Sequence, residues 1–291
     1  MKEQDCLRRF LFDELGVRGE WVRLQTSWQE VKLYQQLSAG VQEKLGQAVA
    51  AAVLLSATIK FEGAMILQVQ GQGPLNTLVA QATHDRKIRA LARGDTQMEA
   101  GSLTKMMGSG RLVITVEPKQ GEPYQGIVAL EEDKLEDVIT KYFTQSEQLE
   151  TRVWLFANET HVAGLFIQEL PAQESYKVDW ERITALAGTV TKEEMLTLDC
   201  KEMLFRLFNE EKLRVYEPEA IIFECGCSPE KIETALVSLG KKELDSIFLE
   251  RDIIDVDCEF CGKKYSFDQV DVENLLSAQT ITKPLKTKHS L

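Results

Sequence analysis

Four cysteines near the C-terminal end limit what this chain can fold into more than any other feature. Cys225-Gly226-Cys227 and Cys258-Glu259-Phe260-Cys261 stand thirty residues apart. Two close pairs of thiols, each on a tight turn, bring four sulfur ligands to one tetrahedral centre, and Zn²⁺ is the cation best suited to four thiolates. Gly262, directly after the second pair, lets the backbone turn sharply so that amides point at sulfur. Cys225, Cys227, Cys258 and Cys261 are therefore the candidate metal ligands, for one zinc per chain. The bland alternative is a cluster of thiols without metal.

Four cysteines close the coordination sphere, leaving no position for water or substrate, so hydrolytic zinc chemistry is disfavoured. Two readings stay open. One is a static structural zinc, although such ribbons usually carry CxxC in both knuckles and this chain has CxC in the first. The other is a redox-sensitive site, because four thiolates on one divalent ion leave excess negative charge on sulfur, and oxidants attack thiolate.

The remaining composition argues against several partners. The net charge is −12. Acids outnumber bases 22 to 18 up to Leu170 and 24 to 16 beyond it. A nucleic-acid-binding ribbon needs a basic face, so no nucleic-acid partner is expected. The most apolar run, Ala48 to Ile59, is too short to span a bilayer, and the start carries no signal-peptide pattern. No membrane partner is expected. Thiols in metal-ligand spacing point to a reducing, cytoplasmic location. Cys6 and Cys200 are left over and read as ordinary thiols.

Strand and helix patterns alternate through the first part of the chain. Val17–Leu24 reads as a strand, Ser27-Trp28-Gln29-Glu30 as a capping box before Val31, Tyr34 and Leu37 at helical spacing, and Val41–Lys60 as a second helix with a small-residue face. Strands follow at Ala64–Gln70, Leu75–Ala82, Ile88–Arg93, Arg111–Glu117 and Tyr124–Leu130, with residues 101–110 as a flexible connection. A helix over Asp133–Gln145 precedes strands at Arg152–Ala157 and Val162–Leu170. The fold class is α+β, with a mostly antiparallel sheet in residues 1–171. No enzyme motif survives inspection. Gly71-x-Gly73 lacks a third glycine, there is no Walker-type lysine, and His84-Asp85 reads as an exposed turn.

Beyond Pro171 the composition changes. Residues 172–222 form a charged helical linker: Asp179 opens a helix through Ala187, Thr191-Lys192-Glu193-Glu194 is a capping box, and Asp199 starts a third helix interrupted by Pro218. Such short helices are marginal alone. Residues 223–278 form the small four-cysteine zinc module, with a capped helix from Ser228-Pro229 to Gly240, extended segments at Ile253–Cys258 and Lys264–Phe267, and a last helix capped by Asp268. Its few large apolar groups make a thin core, and zinc binding in such modules is worth roughly 10–16 kcal/mol. Losing the metal should unfold it. Residues 279–291 are expected to be a disordered tail.

The cysteine pattern, set behind a charged linker and an α/β N-terminal part, resembles the bacterial redox-regulated heat-shock chaperonin family. Leu11-Phe12 followed by Val17-Arg18-Gly19-Glu20, Gly71-x-Gly73-Pro74, Tyr124-Gln125-Gly126, Ser146-Glu147-Gln148-Leu149, Glu193-Glu194-Met195-Leu196-Thr197-Leu198 and Val215-Tyr216-Glu217-Pro218 extend the likeness over nearly the whole chain. The resemblance implies an ATP-independent holdase rather than an enzyme. It would be a zinc-bound monomer when reduced and a homodimer that holds unfolding client proteins when oxidised. By the same resemblance, oxidation pairs Cys225 with Cys227 and Cys258 with Cys261, releases zinc and melts the linker. The competing reading is a constitutive protein-interaction module whose zinc is purely structural. Cys6 and Cys200 lie outside the family pattern, and intermolecular disulfides through them are conceivable.

Overall fold

The computed structural model describes residues 4–170 and 177–282. Contacts divide the chain into two compact units, Met1–Glu224 and Cys225–Leu291. In chain order the first unit begins with β1 (Cys6–Phe12), β2 (Val17–Leu24), α1 (Thr26–Lys32), α2 (Ala39–Thr58), β3 (Gly63–Gly71), β4 (Leu75–Thr83) and β5 (Lys87–Gly94). It continues with α3 (Leu103–Met107), β6 (Gly110–Pro118), β7 (Tyr124–Ala129), α4 (Leu135–Tyr142) with a π-helical turn at Phe143–Glu147, β8 (Thr151–Ala157) and β9 (Val162–Glu169). After these come α5 (Lys177–Ala187), α6 (Lys192–Thr197), α7 (Cys200–Phe208), β10 (Leu213–Val215), β11 (Glu219–Ala220) and β12 (Ile222–Phe223).

These strands make two sheets. One has the order β10-β1-β2-β9-β8, with β11 also paired to β1; the other has the order β12-β5-β4-β3-β6-β7. Every pairing is antiparallel except β12 on β5. The expected α+β class with largely antiparallel sheets is what forms. From Leu45 to Ala57 every residue of helix α2 is buried, and all but Gln47 and Ser56 are apolar or glycine, so this stretch must be covered on all sides. It packs against β3, β4 and β5 in one direction and β2, β8 and β9 in the other. The small-residue face does its work here: a Cβ at Gly46 would lie 2.6 Å from Ala157 Cβ, and one at Gly164 would lie 2.8 Å from Leu54 Cδ1.

The first sheet buries both faces. Leu7, Val22, Leu24, Leu155 and Phe166 face the core around α2. Phe10, Phe12, Val17, Trp21, Leu165 and Ile167 face the other way, under helices α5–α7. Those helices contribute Trp180, Ile183, Met195, Met203, Leu204 and Phe208. The Phe12 and Phe208 rings meet edge to face at 5.0 Å. Arg23, whose side chain is 4% exposed, ties the sheet to the chain between α6 and α7 by donating to Leu198 O at 2.6 Å and Asp199 Oδ1 at 3.1 Å. The expected capping box at Thr191 is present, with both reciprocal bonds to Glu194. Cys6 and Cys200 are 5% and 0% exposed in this same core. They are shielded thiols, so intermolecular disulfides through them are closed off while the helices stay docked.

Several local expectations give way to long-range partners. Ser27 is not a helix cap but sits inside α1. The cap comes from Asp5, whose carboxylate accepts from the backbone N–H groups of Gln25, Thr26 and Ser27 and from the Ser27 hydroxyl. The helix stops at Lys32, leaving Tyr34 exposed. Strand β1 has no alternating signal because Arg8 and Arg9 interrupt it; they bond Tyr216 O at 2.8 Å and Glu219 at 2.6 Å. The connection at 101–110 contains helix α3, capped by Ser102 and pinned by buried Leu103, Met106 and Met107. Helix α7 ends at Phe208, well before Pro218. Among the described residues, no helix is long and apolar enough to cross a membrane.

The second unit contains α8 (Pro229–Leu239), α9 (Lys241–Phe248), β13 (Ile253–Asp257), β14 (Lys264–Asp268) and α10 (Gln269–Thr282). Ser228 caps α8 ahead of Pro229, and Gly240 ends it at φ 86°. Asp268 accepts from Asp271 N at 2.8 Å to start α10. Helix α9, absent from the sequence reading, carries no local start signal and is held by buried Leu244. The last helix runs to Thr282, past 279, where the tail was expected to begin. The rest of that tail, 283–291, and the linker start, 172–176, lie outside the described residues. The buried core is small: Leu236, Leu244, Ile254, Cys258, Tyr265, Phe267 and Val272.

Candidate metal centre

The two cysteine pairs sit on two differently built knuckles. Cys225 and Cys227 lie on the short segment between Phe223 and the Ser228 cap of α8, and Gly226 between them has φ 63°. Only a residue without Cβ takes that left-handed conformation freely, so the chain folds back within three residues. Lys231, one turn into α8, donates to Gly226 O at 2.6 Å and pins the fold-back. Cys258 and Cys261 lie in the β13–β14 connection. Cys261 N and Gly262 N both donate to Cys258 O, at 3.2 and 2.7 Å, and Cys258 N donates to Lys263 O at 2.9 Å. Gly262, at φ 66°, makes the expected sharp turn.

The four sulfurs come together. All lie within 4.8 Å of one another. Two approaches cross between knuckles, Cys225 Sγ to Cys258 Sγ at 3.4 Å and Cys227 Sγ to Cys261 Sγ at 3.5 Å. A tetrahedron with metal–sulfur bonds of about 2.3 Å has sulfur–sulfur edges of about 3.8 Å, so the set fits a single ion. Cys258 is buried and the other three are half-buried. The Cys227 amide favours the charged form of Cys225 and the Lys263 amide that of Cys261, each against the larger effect of burial.

The thiols hold their protons unevenly. Burial and the Cys258 thiol push Cys225 up, and burial pushes Cys261 up. Burial also opposes ionisation of Cys227, but the Tyr265 hydroxyl and the neighbouring thiols outweigh it and bring Cys227 down to about 7. Tyr265 donates to Cys227 Sγ at 3.1 Å, and Lys263 Nζ stands 5.2 Å above its ring. Sequence reasoning missed this tyrosine. The signal was available: Tyr265 and Phe267 alternate inward in β14, and an inward tyrosine hydroxyl needs a partner.

Comparison with known proteins agrees with the architecture. The sequence matches the family described as Hsp33 protein over residues 5–268. It is 53% identical over 289 residues to the 33 kDa chaperonin of Nitrosococcus oceani, covering 99% of this chain and 100% of that protein. It is 41% identical over 290 residues to the 33 kDa chaperonin of Vibrio vulnificus, covering 98% and 99%. The crystal structure of the Thermotoga maritima heat shock protein 33 homologue shares the fold with a TM-score of 0.81 at 24% identity, covering 95% of this chain and 99% of that one. The chain belongs to the Hsp33 family.

Proposed function

We propose that this protein is a redox-regulated, ATP-independent chaperone of the holdase kind, kept inactive in the reducing cytoplasm while Cys225, Cys227, Cys258 and Cys261 bind one zinc ion. The observation that carries the reading is the gathering of four sulfurs within 4.8 Å, three of them reachable from solvent, in a unit with a small apolar core. The name of the curated relatives, 33 kDa chaperonin, supports the chaperone half. When bound, zinc ties the two knuckles together with roughly 10–16 kcal/mol.

The sulfurs then supply the chemistry. One thiolate attacks an oxygen of peroxide and becomes a sulfenic acid, while the second oxygen leaves as hydroxide and is protonated to water. The other thiolate of the same knuckle displaces the sulfenic oxygen, again as hydroxide that becomes water, and a disulfide remains. At both knuckles this joins Cys225 to Cys227 and Cys258 to Cys261, leaving no sulfur to hold the cation. Short sulfur contacts also cross between knuckles, but disulfides along them would staple the module shut, whereas pairs within each knuckle let it open.

Residues 172–222 act as a separable linker in this scheme. The module's first cysteine follows Phe223 after one residue, so unfolding there frees the end of β12. Docking of α5–α7 carries its own cost, because Trp21 Nε1 beneath them finds no hydrogen-bond partner, a loss of about 1–3 kcal/mol. Helix α6 has six residues and α7 nine, too few to persist undocked. Their departure would uncover Phe10, Phe12, Trp21 and Ile167, which hold unfolding clients in an oxidised homodimer; the reduced protein is a monomer. The role is binding, not turnover.

A paired assay tests this reading. Peroxide with mild heat should release about one zinc per chain and switch on suppression of client aggregation, with disulfide mapping showing pairs within each knuckle. Equal client binding by reduced and oxidised protein would instead establish a constitutive interaction module with structural zinc.

A further inference from the structure

A buried glutamate in the wall of a cavity stands without a hydrogen-bond partner. In the β1–β2 register Arg9 lies opposite Glu20 and Leu11 opposite Arg18, so the alternation of each strand puts all four side chains on the face toward α2. With Ala57, near the end of α2, and Leu170 they line a cavity of about 340 Å³. Glu20 is 2% exposed, and no hydrogen bond from the described residues reaches its carboxyl. Leaving a buried acceptor unmatched is costly.

The guanidinium groups nearby are engaged elsewhere. Arg9, the cross-strand neighbour, reaches Glu219 at 2.6 Å, and Arg86 bonds the same carboxylate at 2.7 Å. Arg18 donates to Gln168 Oε1 at 2.5 and 3.1 Å and to Thr58 O at 3.0 Å, and it joins no ion pair among the described residues. These bonds leave N–H groups of the Arg18 guanidinium over. Three guanidinium groups thus act on Glu20, and Glu219 offsets only two of them. Positive charge is in excess here whether or not Glu20 is ionised.

We propose that this cavity binds a free α-amino acid with an apolar side chain, its carboxylate on Arg18, its ammonium on Glu20 and its side chain against Leu11, Ala57 and Leu170. A zwitterion answers both demands of the site at once. Its carboxylate takes the N–H groups that Arg18 has over, and its ammonium supplies the donor that Glu20 lacks. A simple anion would leave the Glu20 carboxyl unmatched, and a simple amine would meet the excess positive charge. At water's share of roughly 30 Å³ each, the cavity holds about eleven non-hydrogen atoms, which is the size of leucine or phenylalanine and too small for a peptide. Every group involved belongs to the first unit, and nothing in the argument depends on the state of the cysteine centre.

Equilibrium dialysis of full-length, reduced protein tests this, with labelled L-leucine, isocaproate (leucine without its ammonium), isoamylamine (leucine without its carboxylate) and inorganic phosphate. L-leucine should bind saturably at a single site per chain. Isocaproate and isoamylamine should bind roughly ten- to hundredfold more weakly, each having lost a hydrogen bond to a charged group. Glu20→Gln should weaken leucine by a similar factor and leave isocaproate within about twofold. Arg18→Lys should weaken leucine and isocaproate together; since Arg18 also holds the end of α2, Glu20→Gln decides the matter if Arg18→Lys does not fold. Absence of saturable leucine binding, or Glu20→Gln that binds leucine as wild type does, would overturn the proposal. So would isocaproate or phosphate bound as tightly as leucine, which would mark a plain anion site.

Discussion

Single side chains set where pH acts on this molecule. Glu20 is 2% exposed, and its Oε2 makes no hydrogen bond. Burial raises it from 4.5 to about 7, against the pull of Arg18, Arg9 and Arg86. Because the folded state holds this proton more tightly than the unfolded chain does, its stabilising contribution is complete below pH 4.5. It is lost as pH rises to about 7, then stays flat. The span corresponds to about 3 kcal/mol. Glu20→Gln should therefore match wild type near pH 4 and be more stable at pH 8, by thermal melts at both values. Glu136, also raised to about 7 by burial, is common to both proteins and cancels in the difference. An equal pH profile in the variant would refute the assignment. Neither acid was legible beforehand, since Glu20 reads as a polar residue in a strand and its burial comes only from tertiary packing.

At the scale of elements, the contact that matters is α5–α7 on the first sheet. Phe208 is 2% exposed against Phe12, and Phe208→Ala should cost about 3–5 kcal/mol of docking. Cys200, fully buried in the same cluster, reports on it. A maleimide should leave Cys200 unmodified in reduced wild type but label it in the variant without any oxidant, as read by peptide mass spectrometry. Protection of Cys200 in both proteins would mean the helices do not leave the sheet as a unit. The capping box at Thr191 and the periodicity of Met203, Leu204, Leu207 and Phe208 announced α6 and α7 in the sequence, because those signals are local. The same local logic failed at Ser27, where Asp5 outcompetes the serine by offering one carboxylate to three amides from twenty or so residues away. It failed again at β1, whose arginines bond Tyr216 and Glu219, roughly 200 residues later in the chain.

For the molecule as a whole, the two units draw stability from different sources. The first has an extended apolar core around α2, whereas the second has a small one and a set of sulfurs suited to one ion. Stripping the metal with a chelator under reducing conditions should abolish a zinc-dependent melting transition and leave a second, zinc-independent one in place, by calorimetry. One transition that is indifferent to chelation would contradict the division of labour. The sequence by itself determined the two close cysteine pairs, the short linker helices α6 and α7 and the small-residue face of α2, because spacing, capping and periodicity act within a few residues. Tertiary structure alone decided which face of the first sheet the linker helices cover, that Cys6 and Cys200 are shielded, and that a tyrosine from one knuckle's hairpin bonds the other knuckle's sulfur. Those outcomes depend on contacts between segments far apart in the chain, and no local pattern encodes which distant surface will be there to meet them.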